Sequence, residues 1–235
     1  NTYFGDIADY KEFQSYFNSL SPDFVFHLAA QPIVSRSFEN PVKTIISNCI
    51  GTASVLDALR QENVQCVAIL ITSDKSYDNK EWIWGYKETD QFGGSDIYSG
   101  SKGAAELIIK SYYKSFFNES RKVKIGIGRA GNVIGGGDWA ENRIVVDCFK
   151  AWKKKQSVVL RSKYSTRPWQ HVLEPLSGYL QLASKLYCGD ISSGEDFNFG
   201  PHINSNKTVL EVVELLYKFW EVPLKCPIYL EDAPN

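Results

Sequence analysis

Val64-Gln65-Cys66-Val67-Ala68-Ile69-Leu70-Ile71-Thr72-Ser73-Asp74-Lys75 decides how this chain folds. From Val64 to Thr72 the sequence is nearly continuously apolar, without the alternation of a half-exposed strand. That pattern predicts a strand buried on both faces, as in a parallel sheet covered by helices. The run ends in three polar side chains, Ser73, Asp74 and Lys75. Ligands of open α/β sheets bind at the carboxyl ends of strands. Ser and Asp also favour plain solvated turns, so this strand end is a candidate site and no more.

Working outward, Phe24-Val25-Phe26-His27-Leu28 reads as a second short buried strand. It runs into Ala29-Ala30-Gln31-Pro32, small residues that let a backbone or ligand come close. Before it, Asp9 and Glu12 have capping-box spacing, and Tyr10, Phe13, Phe17 and Leu20 form an apolar stripe. A long helix is expected from Pro41 to about Glu62, with Ile45, Ala53, Leu56 and Leu59 inward. Downstream, the aromatic, Gly-rich loop from Ser76 to Asp96 has the length of a substrate-covering or interface element. A helix follows with Ala105, Ile108, Tyr112 and Phe116 on its apolar side, then a third strand, Val123 to Gly128. Such alternation predicts a parallel α/β sheet with right-handed crossovers. After about Ile134 the pattern changes. Helices at Glu141–Lys155, Pro175–Leu186 and Thr208–Trp220 and short strands at Val158–Leu160 and Phe197–Phe199 suggest a smaller cap. The expected division is residues 1–134 and 135–235, with some late segments returning to the sheet.

Composition bounds the function. The 235 residues are 43% hydrophobic and 23% charged, with net charge −1. No electrostatic footprint for nucleic acid or an anionic membrane is visible. No apolar run approaches the ~18 residues of a membrane span, and no secretory signal is seen. Cys49, Cys66, Cys148, Cys188 and Cys226 are scattered, without C-x-x-C spacing. They read as reduced thiols of a cytoplasmic protein, not as a disulfide frame or a metal site. The chain contains no Met and opens on Asn1-Thr2-Tyr3-Phe4-Gly5-Asp6, so a piece of a longer protein is expected.

Tyr98-Ser99-Gly100-Ser101-Lys102 carries the chemistry. A Tyr and a Lys four residues apart share one helix face, and an ammonium beside a phenol favours the phenolate. Such a pair can take a proton from a sugar or alcohol hydroxyl while hydride leaves the same carbon. The same spacing occurs on many solvated helix faces, so the neighbours must decide. Gly126-Ile127-Gly128-Arg129-Ala130-Gly131 matches G-x-G-x-x-G, but Val133-Ile134-Gly135-Gly136-Gly137 follows where a phosphate-binding helix should open. It is rejected as a dinucleotide fingerprint. His27 reads as a core histidine bonded to backbone. Arg129, Asn132, Arg161, Arg167 and His171 are individually capable of holding phosphates. Trp82 and Trp84 fit core, interface or stacking roles equally.

Taken in order, His27-Leu28-Ala29-Ala30, Asn48-x-x-Gly51-Thr52, the Thr72-Ser73-Asp74 strand end, Tyr98-x-x-x-Lys102 and Arg129-x-x-Asn132 resemble extended short-chain dehydrogenases/reductases. The stretches Thr72 to Tyr86 and Gly128 to Trp139 resemble the sugar-nucleotide 4,6-dehydratases of that family. Lys75 stands where related dehydratases carry Glu, and Gly100 where the family usually has Asn.

The resemblance implies a doubly wound parallel Rossmann-type sheet, N-terminally truncated, with a smaller α/β C-terminal substrate-binding cap. The Gly-rich turn for the cofactor pyrophosphate would precede Asn1. NAD is the implied cofactor, lined by Asp6, Ile7, Leu28, Ala29, Ala30, Gln31, Asn48, Thr72, Tyr98 and Lys102. CDP-glucose or a related nucleotide sugar is the implied substrate, held by Arg129, Asn132, Arg167 and His171. Tyr98, Lys102, Ser73, Asp74 and Lys75 are the implied catalytic residues, Asp74 as acid toward the 6-hydroxyl and Lys75 either as base at C5 or as the group that stabilises the enolate. Helices near 41–62 and 99–117 resemble those that pair in family homodimers. The alternatives are another sugar-nucleotide dehydratase, a 4-epimerase or reductase, or a non-catalytic fragment or binding module.

Overall fold

The computed structural model describes residues 2–61, 65–119 and 122–220. Glu62, Val64, Cys226 and the 233–235 terminus lie outside them. In chain order the elements are α1 (Tyr10–Asn18), β1 (Phe24–His27), α2 (Val34–Glu39), α3 (Pro41–Ile45), α4 (Gly51–Gln61), β2 (Cys66–Ile71), α5 (Ile97–Tyr112) and β3 (Val123–Ala130). There follow β4 (Val133–Ile134), α6 (Ile144–Lys153), β5 (Thr166–Arg167), β6 (Gln170–His171), α7 (Leu173–Cys188), β7 (Asp196–Phe199), β8 (Lys207–Thr208) and α8 (Val209–Lys218). The chain divides into two compact units, Asn1–Ala130 with Pro175–Phe199, and Gly131–Glu174 with Gly200–Asn235.

In the first unit four parallel strands pair in the order β1-β2-β3-β7. Side chains of a strand alternate between faces, and β2 uses both. Cys66, Ala68 and Leu70 join Val55, Leu56, Leu59, Ile109 and Phe117 of the α4 and α5 layer. Val67 and Ile69 pack instead on Tyr179, Leu182 and Leu186 of α7. Helices therefore cover both faces, as the opening run predicts, and the sheet is a Rossmann-like α/β sheet. Each fully buried Leu or Ile contributes about 1.5–3 kcal/mol. The Gly126 of the rejected motif lies inside β3, where a Cβ would stand 2.7 Å from Leu186 Cδ1. Its glycine seats α7; it opens no helix.

Several expectations are corrected. β1 is an edge strand, with Phe24 and Phe26 exposed and His27 buried, because only β2 pairs with it among the described residues. The long helix is interrupted. Ile46–Ile50 forms a π-helical turn closed by the Gly51 N–H donating to Ile46 O. A second π turn, Tyr113–Phe117, follows α5. A π turn inserts one residue into the α-helical period. Hence Leu56 and Leu59 are buried as predicted, but Ile45 is exposed; likewise Phe117 is buried and Phe116 is not. Helix α2 was not foreseen.

In the second unit, β4 pairs with β6 in parallel and β5 with β8 antiparallel. Its core gathers Cys148, Trp152, Val158, Leu160 and Val213. Val158 and Leu160 are buried and Val159 between them is exposed, but the stretch forms no strand, since its two inward side chains serve the core without a pairing partner. Thr208 caps α8 in a full capping box with Glu211. Among the described residues no helix is long and apolar enough to cross a membrane, and no cluster of His, Cys, Asp or Glu could hold a metal.

Candidate active site

The parallel register brings the carboxyl ends of β1 and β2 side by side, His27 opposite Leu70. Past β2, Ser73 caps a short 3₁₀ turn, Asp74–Ser76. Its hydroxyl accepts from the Lys75 N–H at 3.2 Å and donates to Asp74 Oδ1 at 3.0 Å. Ser76 ties the turn shut through its hydroxyl to Ser73 O at 2.7 Å. The turn packs on α5, where Gly103 leaves room: a Cβ there would lie 3.0 Å from Gly93 O and 3.3 Å from Ser76 O. Tyr98 and Lys102, one helical turn apart on the same helix, are both buried.

Lys102 is 6% exposed. Its ammonium makes no hydrogen bond or ion pair with the described residues. Burial pushes it down to about 8, against the opposing pull of Glu106 and Cys49. A buried cation without a partner is costly, and such strongly shifted groups gather at functional sites. A ribose hydroxyl pair offers Lys102 the acceptors that it lacks. This fits the nicotinamide riboside end of a dinucleotide.

Around this pair the chain builds a rigid frame. Ser101 donates to Tyr98 O at 2.7 Å and accepts from Asn48 Nδ2 at 2.9 Å. Asn48 also accepts from the Gln31 N–H at 2.8 Å and donates to Gln31 O at 3.2 Å. The π turn presents Asn48 inward for this purpose. His27 lies beneath, its Nε2 3.1 Å from the Thr52 hydroxyl. That hydroxyl already donates to Asn48 O at 2.7 Å, so Nε2 carries the proton. Burial and then the Lys102 charge push His27 down to about 4. Its partner is a side chain, not the expected backbone.

The expected cofactor residues divide. Leu28 and Ala29 are exposed and Ala30 half-buried beyond β1. Asp6 is exposed and caps the Ala8 N–H at 2.9 Å. Ile7 packs over Gly51. Three assignments are corrected at their side chains. The Asn48 amide is buried and engaged by Gln31 and Ser101. The Gln31 amide is turned onto Ile33 and Thr44. Thr72 donates its hydroxyl to Glu106.

Arg129 is corrected outright as a phosphate ligand. It is 1% exposed. It grips both oxygens of Glu106, Nε to Oε1 at 2.6 Å and Nη2 to Oε2 at 2.9 Å. It also donates to Tyr77 Oη at 2.7 Å and to Asp196. Glu106, Tyr77 and Ser101 were missed from sequence. Glu106 had a signal, lying four residues after Lys102 on the same face.

The second unit holds the remaining candidates. Asn132 accepts from the Gln170 N–H at 3.1 Å through its backbone oxygen, which brings it beside His171 across β4 and β6. His171 is exposed, its Nδ1 3.3 Å from the Leu173 N–H. Half-buried Arg167 donates to Thr166 O at 2.7 Å. The same unit has a cleft of about 400 Å³ lined by Asn142, Asp147, Lys150, Val159 and Arg161 among others.

The fold is that of the short-chain dehydrogenase/reductase type. The chain belongs to the family described as GDP-mannose 4,6 dehydratase, whose model matches residues 1–216. It is 44% identical over 223 residues to the CDP-glucose 4,6-dehydratase of Salmonella typhimurium, covering 93% of this chain and 62% of that protein. It is 27% identical over 206 residues to the dTDP-D-glucose 4,6-dehydratase of Dictyostelium discoideum, covering 83% of this chain and 46% of that one. The chain thus spans less than two thirds of the length of either. A dTDP-glucose 4,6-dehydratase from Streptomyces venezuelae, solved with NAD and TYD bound, superposes with TM-score 0.76 at 19% identity, over 91% of this chain and 62% of that one. The UDP-glucose 4-epimerase of Thermotoga maritima gives 0.83 at 20% identity, over 99% and 72%. These structures share the fold.

Proposed function

We propose that the protein dehydrates CDP-glucose to CDP-4-keto-6-deoxyglucose with NAD as resident cofactor. The observation that carries this reading is the buried Lys102, with no hydrogen bond or ion pair among the described residues, one helical turn from Tyr98 on the helix that packs against the Ser73 turn. The 44% identical relative supplies the substrate. A bound nicotinamide supplies a hydride acceptor and donor. Lys102 and Leu28 to Gln31 would hold its riboside end. Tyr98 takes the proton of the sugar 4-hydroxyl, with the Lys102 charge stabilising the phenolate. Ser73 donates a hydrogen bond to the 4-oxygen. Once C4 is a ketone the C5 proton is acidic, and Lys75 removes it. Asp74 protonates the departing 6-hydroxyl, which leaves as water; the hydride taken from C4 would then pass from the bound nicotinamide to C6 while Lys75 returns the proton to C5, giving the 4-keto-6-deoxy sugar. Asn132, Arg167 and His171 hold the nucleotide, and residues 135–235 are in the main the substrate-binding part.

The protein acts in the cytoplasm as a homodimer. Phe38, Val42, Ile46 and Ile50, with Leu107 and Phe116, are exposed apolar side chains on the α2 to α5 region, a surface that a second copy would cover. Incubation with CDP-glucose, followed by mass spectrometry, should show loss of one water per sugar nucleotide. Tyr98→Phe should lower turnover about 10²–10⁴-fold with the fold intact. A purified protein that leaves CDP-glucose unchanged, or only epimerises it, overturns the reading.

A further inference from the structure

Glu106 belongs to no step above, yet it is fully buried, 0% exposed, and stands one helical turn after Lys102. Residues four apart on a helix are neighbours on one face. Its two oxygens are held from three directions. Arg129 takes both, through Nε at 2.6 Å and Nη2 at 2.9 Å. Thr72, the residue before Ser73, donates its hydroxyl to Oε1. Arg129 is fixed in turn by Tyr77 Oη at 2.7 Å and by Asp196. Asp196 is also paired with Lys110 at 3.2 Å. Charge-assisted bonds of this kind are the strong ones. The network therefore joins α5, the end of β2, β3 and the start of β7 through the Glu106–Arg129 pair.

We propose that Glu106 is a positioning residue of the candidate active site: clamped by Arg129, it keeps the Lys102 ammonium charged and ties the Ser73 strand end to the helix that carries Tyr98. This rests on the reading of Tyr98, Lys102 and Ser73 as the site. The groups that face Lys102 are Glu106 and Tyr98 on its own helix, His27 on β1 and Cys49 on the π turn. Of these, Glu106 is the carboxylate. His27 is held neutral above about pH 4, and burial raises the Cys49 thiol. Glu106, ion-paired with Arg129, is thus the group among them that favours the lysine charge.

Two variants test the two halves of the proposal. Lysine labelled with ¹³C at Cε gives a titration curve for Lys102, whose resonance is identified by its absence in Lys102→Met. In Glu106→Gln the midpoint should fall by about one pH unit, whether or not the protein turns over substrate. The alkaline limb of kcat/KM should move down by the same amount. A folded Glu106→Gln protein with the wild-type midpoint overturns the electrostatic half. Thr72→Val keeps the carboxylate and removes only its tie to the strand end. It should lower kcat about tenfold with KM and the Lys102 midpoint unchanged, a tenfold loss corresponding to about 1.4 kcal/mol. An unchanged kcat in Thr72→Val overturns the positioning half, and does so even if Glu106→Gln fails to fold. Failure of the functional reading looks different. Wild-type protein would then ignore CDP-glucose, while the midpoint shift in Glu106→Gln would still be seen.

Discussion

The two halves of α5 bury charge in opposite ways. At Glu106 the carboxylate and the Arg129 guanidinium facing it are fully buried and fully bonded, to each other and to Thr72, Tyr77 and Asp196. One turn earlier, Lys102 is almost as buried but has no hydrogen bond or ion pair with the described residues. A cation given every partner is part of the frame. A cation left without one destabilises the fold and is kept for something that arrives. That difference separates the frame from the candidate site within a single helix.

The sharpest way to break the comparison is to remove each cation in turn. Arg129→Met leaves Glu106 and Asp196 without their main partner, and unfolding stability should drop by about 3–5 kcal/mol. Lys102→Met should do the reverse. The folded lysine titrates at about 8, against 10.5 as the ordinary value. Folding therefore disfavours its proton, and stability rises with pH between those limits. At pH 7 the charged lysine costs up to about 3 kcal/mol, which the methionine recovers. Urea melts at pH 7 measure both. Two variants that lose stability alike would dissolve the distinction.

Much of this contrast was legible beforehand. The unbroken run into Ser73 places a strand with helices on both faces, and its polar end marks the candidate site. Tyr98 and Lys102 followed from helical spacing. Arg129 was misread because an arginine at a strand end looks the same whether it meets a phosphate or a buried glutamate. Only the fold supplies the partner, 23 residues away in sequence. The π turns were illegible for a related reason. Ile46–Ile50 and Tyr113–Phe117 contain no Pro or Gly to announce an extra residue. Tertiary packing, here the inward turn of Asn48 and Phe117, sets their register.

His27 sharpens the comparison from below. Its imidazole titrates at about 4 in the fold, against the ordinary 6.5. The unfolded chain therefore binds the proton first, and stability is lost as pH falls from about 6.5 toward 4. The full loss is about 3 kcal/mol. Replacing His27 by Gln should flatten that acid limb of a stability-versus-pH curve. A limb of unchanged depth in His27→Gln would place the acid sensitivity elsewhere.

The smallest effects come from two glycines of α5, and they test whether the Ser73 turn is truly pinned to the helix. Gly100 has nothing within 4 Å of a built Cβ. Alanine there removes the helix penalty of glycine, and Gly100→Ala should stabilise by about 1 kcal/mol. Gly103 is three residues on, and its Cβ would meet Gly93 O at 3.0 Å and Ser76 O at 3.3 Å. Both are backbone atoms, which cannot swing aside as a side-chain tip can. Relief requires the loop to lift, and overpacking of that kind costs about 1–3 kcal/mol. Gly103→Ala should therefore lose stability where Gly100→Ala gains it. Because Ser76 O belongs to the turn that Ser73 caps, the same lift moves the Ser73 hydroxyl relative to Tyr98, and kcat should fall with it. Thermal melts and turnover of the two variants, measured side by side, decide the point. If Gly103→Ala melts and turns over like Gly100→Ala, the strand end is not held against α5, and the frame around Lys102 is looser than its hydrogen bonds imply.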